Sequence, residues 1–252
     1  MAKLKARADQ LVYELGLAED QKRAMRLIMA GLVRVLEKGR ETVVDKPGRM
    51  FAAGTVFRLE QGDRYVSRGG GKLETALEAF GLDVAGMTAL DAGASTGGFT
   101  DCLLQHGAVR VYAVDVGTAQ LHEKLRADPR VVSMENVNLR HAPPDLLPEP
   151  VDLIVADVSF ISLTKVLPSC LPLLRPGGLV VALVKPQFEV SPDKIAKGGV
   201  VRDVAHQREA VDMVTAFARD QLGLVLRGVV PSKVKGPKGN QEYLAVFALA
   251  GG

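Results

Sequence analysis

The 252-residue chain contains a run of small residues that reads Leu90-Asp91-Ala92-Gly93-Ala94-Ser95-Thr96-Gly97-Gly98-Phe99. An apolar strand pattern ends at this run, and a helical pattern begins after it. Because bulky side chains are absent, a ligand can lie against the first turn of the helix, whose free N–H groups favour polar or anionic groups. A turn of this kind after the first strand of a large domain is typical of doubly wound α/β sheets that bind nucleotide-like ligands.

The sequence after the turn alternates strand and helix patterns. Short apolar runs such as 153–156 and 179–184 lack polar alternation, which indicates strands covered by helices on both faces. The predicted strands are 89–92, 109–115, 131–134, 152–157, 178–184, 224–230 and 242–249, and the predicted helices are 73–80, 97–106, 163–174 and 203–222. The pattern predicts a doubly wound α/β sheet whose last two strands form an antiparallel edge.

The glycine turn also fits two other functional motifs. Gly93, Ser95 and Gly98 approximate a dinucleotide-binding fingerprint in which Ser replaces the middle Gly. Gly93, Ser95 and Gly97 match the nucleophile elbow of hydrolases, but an elbow requires sheet strands before it and a separate oxyanion loop. His206, downstream of acidic residues, leaves the chain order of a hydrolase triad formally possible. Without the strands and the loop, the hydrolase interpretation is disfavoured, while a nicotinamide cofactor stays open at this point.

Acidic and amide residues at the strand ends favour a different nucleotide-like ligand. Asp91 precedes the turn, Asp115 follows the next strand where a ribose diol would bind, and Asn136 follows the third strand where an adenine amino group would be recognised. This set predicts the S-adenosylmethionine site of a class I methyltransferase. The expected cofactor-binding residues are Asp91, Gly93, Ala94, Ser95, Thr96, Gly97, Gly98, Phe99, Asp115 and Asn136.

Two charged residues end the fourth and fifth predicted strands, Asp157 and Lys185. The carboxyl ends of strands in an open α/β sheet lie where ligands bind, so we expect both side chains beside the glycine turn. Methyl transfer to an alcohol requires a base for a weakly acidic proton. A desolvated lysine near a second cation loses its proton readily, and Lys72 is the candidate for that cation. The alternative is a salt bridge without a catalytic role.

Composition and charge exclude several classes of protein. No apolar run reaches the roughly 18 residues that a membrane helix needs, and residues 1–10 lack the apolar stretch of a secretory signal. Cys102 and Cys170 are far apart in the sequence, so neither a disulfide framework nor a metal site is predicted, and a cytoplasmic location is expected. The net charge is +3, but residues 1–72 carry 15 Lys and Arg against 9 Asp and Glu. This excess suits nucleic-acid binding or a solvated surface equally well.

The pattern divides the chain into a small N-terminal domain, residues 1–63, a linker, residues 64–72, and a large domain, residues 73–252. Residues 1–63 show two helical patterns and then short strands, a core too small for an enzyme. They resemble the small α+β RNA-binding domain named after ribosomal protein S-four, and Arg7-Ala8-Asp9-Gln10-Leu11 opens that resemblance. Three consecutive glycines in the linker allow positive φ or a close approach of the backbone to a ligand. The interdomain join is placed there, and a flexible linker is the simpler interpretation.

Six segments give the chain a more specific resemblance. They are 67–73 (SRGGGKL), 91–101 (DAGASTGGFTD), 157–162 (DVSFIS), 184–189 (VKPQFE), 197–203 (KGGVVRD) and 236–242 (GPKGNQE). Together they resemble the TlyA family, hemolysin-type RNA methyltransferases that join an S-four-like domain to an FtsJ-like catalytic domain. The resemblance implies a class I, Rossmann-like fold with S-adenosylmethionine as cofactor. It also implies ribosomal RNA or ribosomal subunits as partner and 2′-O-methylation of a ribose, with cytidine the family's usual target.

The resemblance also implies a catalytic set. FtsJ-like enzymes use Lys-Asp-Lys-Glu, which maps here onto Lys72, Asp157, Lys185 and Glu242. The family pattern makes Lys185 the base, Lys72 and Asp157 its electrostatic partners, and Glu242 an orienting carboxylate. The position of Asp157 and Lys185 at strand ends independently supports this assignment for these two residues. For Lys72 and Glu242 the sequence pattern is compatible with the assignment but does not predict it.

Two alternatives remain. Residues 157–160 (DVSF) resemble the Asp-Pro-Pro-aromatic box of enzymes that methylate base amino groups, although both prolines are absent and such enzymes need no strong base. The chain could also be an RNA-binding ribosome assembly factor with an inert methyltransferase fold. In the enzyme, residues 186–202 are expected to form a substrate lid, and Phe160 and Phe188 to stack on an unpaired base. The sequence has no membrane-spanning segment that would support a pore-forming activity, so the word hemolysin is treated as a name. The sequence does not indicate an oligomeric state.

Overall fold

The computed structural model describes residues 5–29, 31–37, 40–59 and 64–250. The chain divides into two compact units, residues 1–64 and residues 65–252, and each unit has hydrophobic core residues of its own. Across the described ranges, no helix has both the length and the apolar composition that crossing a membrane requires.

In the described part of the first unit, one short strand precedes two short helices, and further short strands follow them. Its described elements are β1 (Lys5–Arg7), α1 (Ala8–Glu14), α2 (Gln21–Met29), β2 (Val33–Glu37), β3 (Arg40–Val43), β4 (Met50–Ala52) and β5 (Phe57–Leu59). Strand β1 pairs with β4, and β2 pairs with both β3 and β5, all antiparallel. Val12 of α1 and Ile28 of α2 are fully buried, because apolar residues recur on one face of each helix. The role of this unit in RNA binding stays a prediction.

The segment expected to be a linker belongs mostly to the second unit, which begins at Tyr65. Helix α3 (Gly69–Phe80) starts at the first of the three glycines. These glycines allow close packing rather than a flexible join, because a Cβ on Gly70 would lie 2.2 Å from Cγ of Tyr65. The segment also packs on the glycine turn, since a Cβ on Gly98 would lie 2.3 Å from Oγ of Ser67.

The second unit is a seven-stranded mixed sheet. Its elements after α3 are β6 (Thr88–Ala92), α4 (Gly98–Gln105), β7 (Arg110–Val114), α5 (Glu123–Arg126), β8 (Val131–Met134), β9 (Val151–Ala156), α6 (Leu167–Cys170), β10 (Leu174–Val184), α7 (Pro186–Glu189), α8 (Val204–Leu222), β11 (Leu224–Pro231) and β12 (Tyr243–Leu249). The strand order is β11-β12-β10-β9-β6-β7-β8. Strand β12 runs antiparallel to both neighbours, and the other pairs are parallel. The predicted doubly wound sheet with an antiparallel edge is confirmed.

Both faces of the central strands are covered. Leu153 and Val155 of β9 lie in the hydrophobic cluster that includes α3 and α4, whereas Ile154 lies in the cluster that includes α6 and α8. All three side chains are fully buried. This two-sided burial explains why β9 is a continuous apolar run in the sequence rather than an alternating one.

One predicted helix differs. Residues 163–174 form two 3₁₀ turns, Leu163–Lys165 and Leu171–Leu173, on either side of the single-turn helix α6. Pro168 and Pro172 explain the interruption, since proline cannot donate the backbone hydrogen bond that continues a helix.

The sheet topology brings the candidate site residues to one edge. Strands β6, β7, β9 and β10 are parallel, so the residues that follow them lie at the same edge: Gly93, Asp115, Asp157 and Lys185. Strand β12 runs the other way, so the residue before it, Glu242, also lies there. Val184 of β10 is paired with Tyr243 of β12. Lys185 follows Val184 and Glu242 precedes Tyr243, so the two charged residues lie on neighbouring strands at the same edge.

Candidate active site

The turn between β6 and α4 requires glycine at two positions. Gly93 and Gly97 have φ of 85° and 96°, in the left-handed region that favours glycine. A Cβ on Gly93 would lie 2.9 Å from the carbonyl oxygen of Asp157, and one on Gly97 would lie 2.2 Å from Cδ1 of Leu125. Ser95, between them, is also left-handed, with φ of 48°. The turn therefore presents backbone, not bulky side chains, at the carboxyl edge of β6.

Asp115 holds the glycine turn from the neighbouring strand. Its Oδ2 accepts a hydrogen bond from the backbone N–H of Ser95 (2.8 Å), and its Oδ1 accepts one from that of Gly117 (2.7 Å). Each carboxylate oxygen can accept a further hydrogen bond. The two hydrogen bonds hold the Asp115 carboxylate in place, and each of its oxygens can still accept a hydrogen bond from one hydroxyl of a vicinal diol.

Asp91 is a fully buried carboxyl group beneath the turn. Its Oδ2 accepts hydrogen bonds from the backbone N–H (2.9 Å) and the hydroxyl (2.6 Å) of Thr100. Its Oδ1 has no hydrogen-bond partner within the described part of the chain. Burial raises the pKa of Asp91 to about 7, although the hydrogen bonds from Thr100 act to lower it. An unpaired carboxylate oxygen of this kind is suited to an ammonium group.

Two adjoining cavities open at this edge, with volumes of about 370 Å³ and 270 Å³. Both are lined by Gly93, Ser95, Asp157 and Ser159. The first cavity adds Asp115 and apolar side chains such as Val137, whereas the second adds Lys72, Asp91 and Lys185. A cavity that is lined largely by apolar side chains, with Asp115 available as an acceptor, suits a base and its ribose. The charged groups of the second cavity suit the reacting end of a cofactor.

Four charged residues form two ion pairs beside the second cavity. Lys185 Nζ lies 2.6 Å from Asp157 Oδ1, and Lys72 Nζ lies 2.7 Å from Glu242 Oε2. Neither contact has the angles of a hydrogen bond. The aligned hydrogen bond of Lys185 goes instead to Oγ of Ser159, at 2.8 Å. Glu242 is fully buried and the side chains of Lys72 and Lys185 are 10% and 8% exposed, so water screens these charges little.

The Glu242 carboxylate lies against the loop that precedes β12. A Cβ on Gly236 would lie 2.1 Å from Glu242 Oε1, so any larger residue there would displace the carboxylate. Gln187 Nε2 donates a long hydrogen bond of 3.4 Å to the same oxygen. The loop is closed by a backbone hydrogen bond from Gly236 to Asn240 (2.9 Å). Gly236 is therefore a positioning residue for Glu242.

The rim of the site carries an exposed aromatic side chain. Phe160 is 91% exposed and lines the first cavity, and its ring centroid lies 5.2 Å from that of Phe188 on α7. The connection 186–202, expected to be a lid, is anchored at its far end. There the buried side-chain amide of Asn240 makes hydrogen bonds of 2.8 and 3.0 Å to backbone groups of this connection.

Asn136 is a predicted cofactor residue that the structure places outside both cavities. The chain is left-handed at Asn136, with φ of 59°, and its Oδ1 accepts a hydrogen bond from Thr118 Oγ1 (2.8 Å). Val137 and Asn138 line the first cavity instead. Gly97 and Glu242 also lie outside the linings. The other predicted residues line one cavity or both: Lys72, Asp91, Gly93, Ala94, Ser95, Thr96, Gly98, Phe99, Asp115, Asp157 and Lys185.

Two further site residues were missed by sequence reasoning. Ser159 lines both cavities and follows β9 by three residues, so the strand-end rule could have included it. Gly236 carries no local signal, because the carboxylate that excludes a side chain there is brought to it by the fold.

The residues around the two cavities fit S-adenosylmethionine, which combines an adenine base, a ribose diol, and a methionine end bearing an ammonium group and a methyl sulfonium. Asp115 offers acceptors for the diol, and apolar side chains such as Val137 suit the base. The unpaired Oδ1 of Asp91 suits the ammonium group.

Comparisons with known proteins show the family of this chain. Residues 65–249 match the family model described as FtsJ-like methyltransferase. A candidate rRNA methyltransferase of Bacillus subtilis, YqxC, is 44% identical over 97% of this chain and 86% of its own length. The 16S/23S rRNA (cytidine-2′-O)-methyltransferase TlyA of Mycobacterium tuberculosis is 44% identical over 95% of this chain and 88% of its own. The solved structure of a hemolysin candidate from Streptococcus thermophilus is 47% identical, with a TM-score of 0.74 over 99% of this chain and 90% of that one. The chain therefore belongs to the TlyA family of FtsJ-like, S-adenosylmethionine-dependent methyltransferases.

Proposed function

We propose that this protein methylates the ribose 2′-oxygen of a cytidine in ribosomal RNA. Relatives of known name support the RNA class and the position of the methyl group, since TlyA of Mycobacterium tuberculosis is named as a 16S/23S rRNA (cytidine-2′-O)-methyltransferase. The observation that carries the proposal is the position of Lys185. Its amine lies at the second cavity, beside the glycine turn, 2.6 Å from Asp157 and 2.8 Å from Ser159.

A sugar hydroxyl is a weak acid, so its methylation requires a base within hydrogen-bond reach. Lys185 fills this role when its amine is neutral, taking the 2′-hydroxyl proton and becoming an ammonium. When bound, S-adenosylmethionine supplies the methyl group: the 2′-oxygen forms the new C–O bond, and the electron pair of the broken S–C bond stays on sulfur. Asp157 then stabilises the positive charge that Lys185 acquires.

The second ion pair supports the first. Lys72 lines the same cavity as Lys185, so a second lysine side chain faces the space in which the methyl group is transferred. Glu242, fully buried and 2.7 Å from Lys72, holds that ammonium in position. Each of the four charged residues thus has a role that depends on its neighbour.

The RNA is held by features outside the charged cluster. Phe160 and Phe188 offer aromatic surface at the rim, on which an unpaired base can stack. The basic excess of residues 1–72 would supply phosphate contacts with the ribosomal RNA or the ribosomal subunit. A base amino group as acceptor would leave Lys185 without a role, because such a group needs no strong base.

The test is Lys185→Ala, with Lys165→Ala, an exposed lysine outside both cavities, as the matched control. Nucleoside mass spectrometry of ribosomal subunits incubated with each protein should show 2′-O-methylcytidine for wild type and for the control but not for Lys185→Ala. S-adenosylmethionine affinity, measured by calorimetry, should survive in all three.

Other outcomes contradict the proposal in different ways. Full activity of Lys185→Ala would remove the base. A methyl group on a base amino nitrogen would favour the rival enzyme class. Loss of S-adenosylmethionine binding in the wild-type protein would favour an inert assembly factor.

A further inference from the structure

Ser159 has no assigned role in the catalytic set, yet its side chain contacts the central amine. It lines both cavities and is exposed. The hydrogen bond that the structure gives Ser159 is the one that its Oγ accepts from Lys185 Nζ, at 2.8 Å. An exposed serine contributes little to the core, so this contact is not explained by packing.

The two acceptors around Lys185 act differently on its amine. Asp157 Oδ1 is closer, at 2.6 Å, but this contact lacks hydrogen-bond alignment. It holds the amine through the attraction between opposite charges. The Ser159 contact meets the distance and angle requirements of a hydrogen bond, and hydrogen bonds weaken steeply away from alignment. The hydrogen bond to Ser159 therefore contributes to the direction in which the amine points.

Direction matters because a neutral amine has one lone pair. Its nitrogen is tetrahedral, with one bond to carbon, two N–H groups and the lone pair. With one N–H committed to Ser159 and the other drawn to Asp157, the lone pair takes the remaining direction. Without Ser159, the amine can rotate so that the lone pair points away from the hydroxyl it must deprotonate.

The loop that carries Ser159 is held at both ends. It follows β9 directly, and at Phe160 the backbone is left-handed, with φ of 63°. Its far end is tied to α7, because Glu189 accepts hydrogen bonds from Ser162 Oγ (2.5 Å) and the backbone N–H of Leu163 (2.9 Å). Since α7 begins immediately after Lys185, one short segment carries the base and anchors the loop of Ser159.

We propose that Ser159 is a positioning residue for this reaction: its hydroxyl orients the Lys185 amine so that the lone pair is available to the ribose 2′-hydroxyl. The inference rests on the proposed function, in which Lys185 is the base. Ser159 itself gains and loses no proton in the step, because the 2′-hydroxyl proton ends on Lys185.

Ser159→Ala and Ser159→Thr provide the test. Threonine retains the hydroxyl, and the affinity for S-adenosylmethionine shows whether its added methyl group disturbs the cavities that Ser159 lines. Ser133→Ala, an exposed serine on β8, is the matched control. Single-turnover rate constants are measured with saturating S-adenosylmethionine and ribosomal subunits, together with the KM for the subunits and the calorimetric affinity for S-adenosylmethionine.

We expect Ser159→Ala to lower the rate constant by roughly 10-fold to 100-fold, the range for a misplaced catalytic group. Cofactor affinity and KM should stay at wild-type values. Ser159→Thr should restore most of the rate, and Ser133→Ala should match wild type. If Ser159 had a purely structural role, Ser159→Ala would not lower the rate constant alone, and Ser159→Thr would not restore it.

The inference is overturned if Ser159→Ala turns over at the wild-type rate, if alanine and threonine cause the same loss, or if only KM rises. Wild type and Lys185→Ala are measured alongside. If wild type is active, Lys185→Ala is inactive and Ser159→Ala is unimpaired, the positioning role fails while the proposed function holds. If wild type forms no 2′-O-methylated product, both fail.

Discussion

The buried ion pair between Lys72 and Glu242 makes a strong prediction about stability. Glu242 is fully buried, and its closest charged partner in the described contacts is the Lys72 ammonium, 2.7 Å from Oε2. In Lys72→Met, a side chain of similar length fills the space but carries no charge. Among the side-chain hydrogen bonds in the described part of the chain, the carboxylate would then retain the long one from Gln187, at 3.4 Å.

The size of the loss follows from the burial. Removing one partner of a buried ion pair costs about 3–5 kcal/mol, because the remaining charge is left without compensation. Glu242→Gln should cost less, about 1–3 kcal/mol, since the Lys72 side chain is 10% exposed and can extend its ammonium towards water. The double variant Lys72→Met/Glu242→Gln should recover most of the loss, because no unpaired charge remains.

Urea unfolding followed by tyrosine fluorescence measures this effect, since three of the four tyrosines lie in the second unit. With a typical dependence of about 1–3 kcal/mol per molar urea, Lys72→Met should lower the midpoint by at least about 1 M. A midpoint equal to wild type, or a double variant less stable than Lys72→Met, would refute the reasoning that the lysine compensates a buried carboxylate.

Three further predictions concern pH, cofactor and RNA. Burial raises the pKa of Asp91 to about 7, so between about pH 4 and pH 7 the folded protein binds a proton that the unfolded chain has released. The contribution of Asp91 to the free energy of unfolding should therefore fall as the pH rises through that window. In urea melts, Asp91→Asn should reduce the dependence of the free energy of unfolding on pH. An unchanged dependence would contradict this prediction. Calorimetry should show weaker S-adenosylmethionine binding for Asp115→Ala but not for Asn136→Ala, whose side chain lies outside both cavities; equal effects would argue against the placement of the ribose. Reversing the charges of Lys22 and Arg26, both exposed on α2, should weaken ribosomal RNA binding and reduce its salt dependence. An unchanged salt dependence would mean that the first unit has a role other than RNA binding.

Local patterns were sufficient for the sheet and for part of the site. The run 153–156 indicates a strand buried on both faces, and the structure confirms β9 there. Asp157 and Lys185 were also identifiable, because a residue that follows a parallel strand lies at the ligand edge wherever its strand is in the sheet. Alternating strands and helices indicate parallel strands, and the residue after each parallel strand lies at the same edge of the sheet.

Other features depend on contacts between residues far apart in the chain. Glu242 precedes a strand, and it reaches the edge that carries the candidate site because β12 inserts antiparallel beside β10, a pairing that no local pattern specifies. The three glycines of the expected linker form the first turn of α3, and the Tyr65 side chain packs against Gly70 there.

Side-chain direction at loop positions was equally inaccessible from the sequence. Asn136 and Ser159 both follow strands by a few residues, yet the first side chain bonds to Thr118 and the second to Lys185. The amino-acid order therefore specified strands, helices and strand-end residues, which depend on neighbours along the chain. Folding specified the partners of Glu242, Ser159 and Asn136, because hydrogen bonds and ion pairs require atoms to meet within about 3 Å, and residues distant in sequence come that close only in the packed molecule.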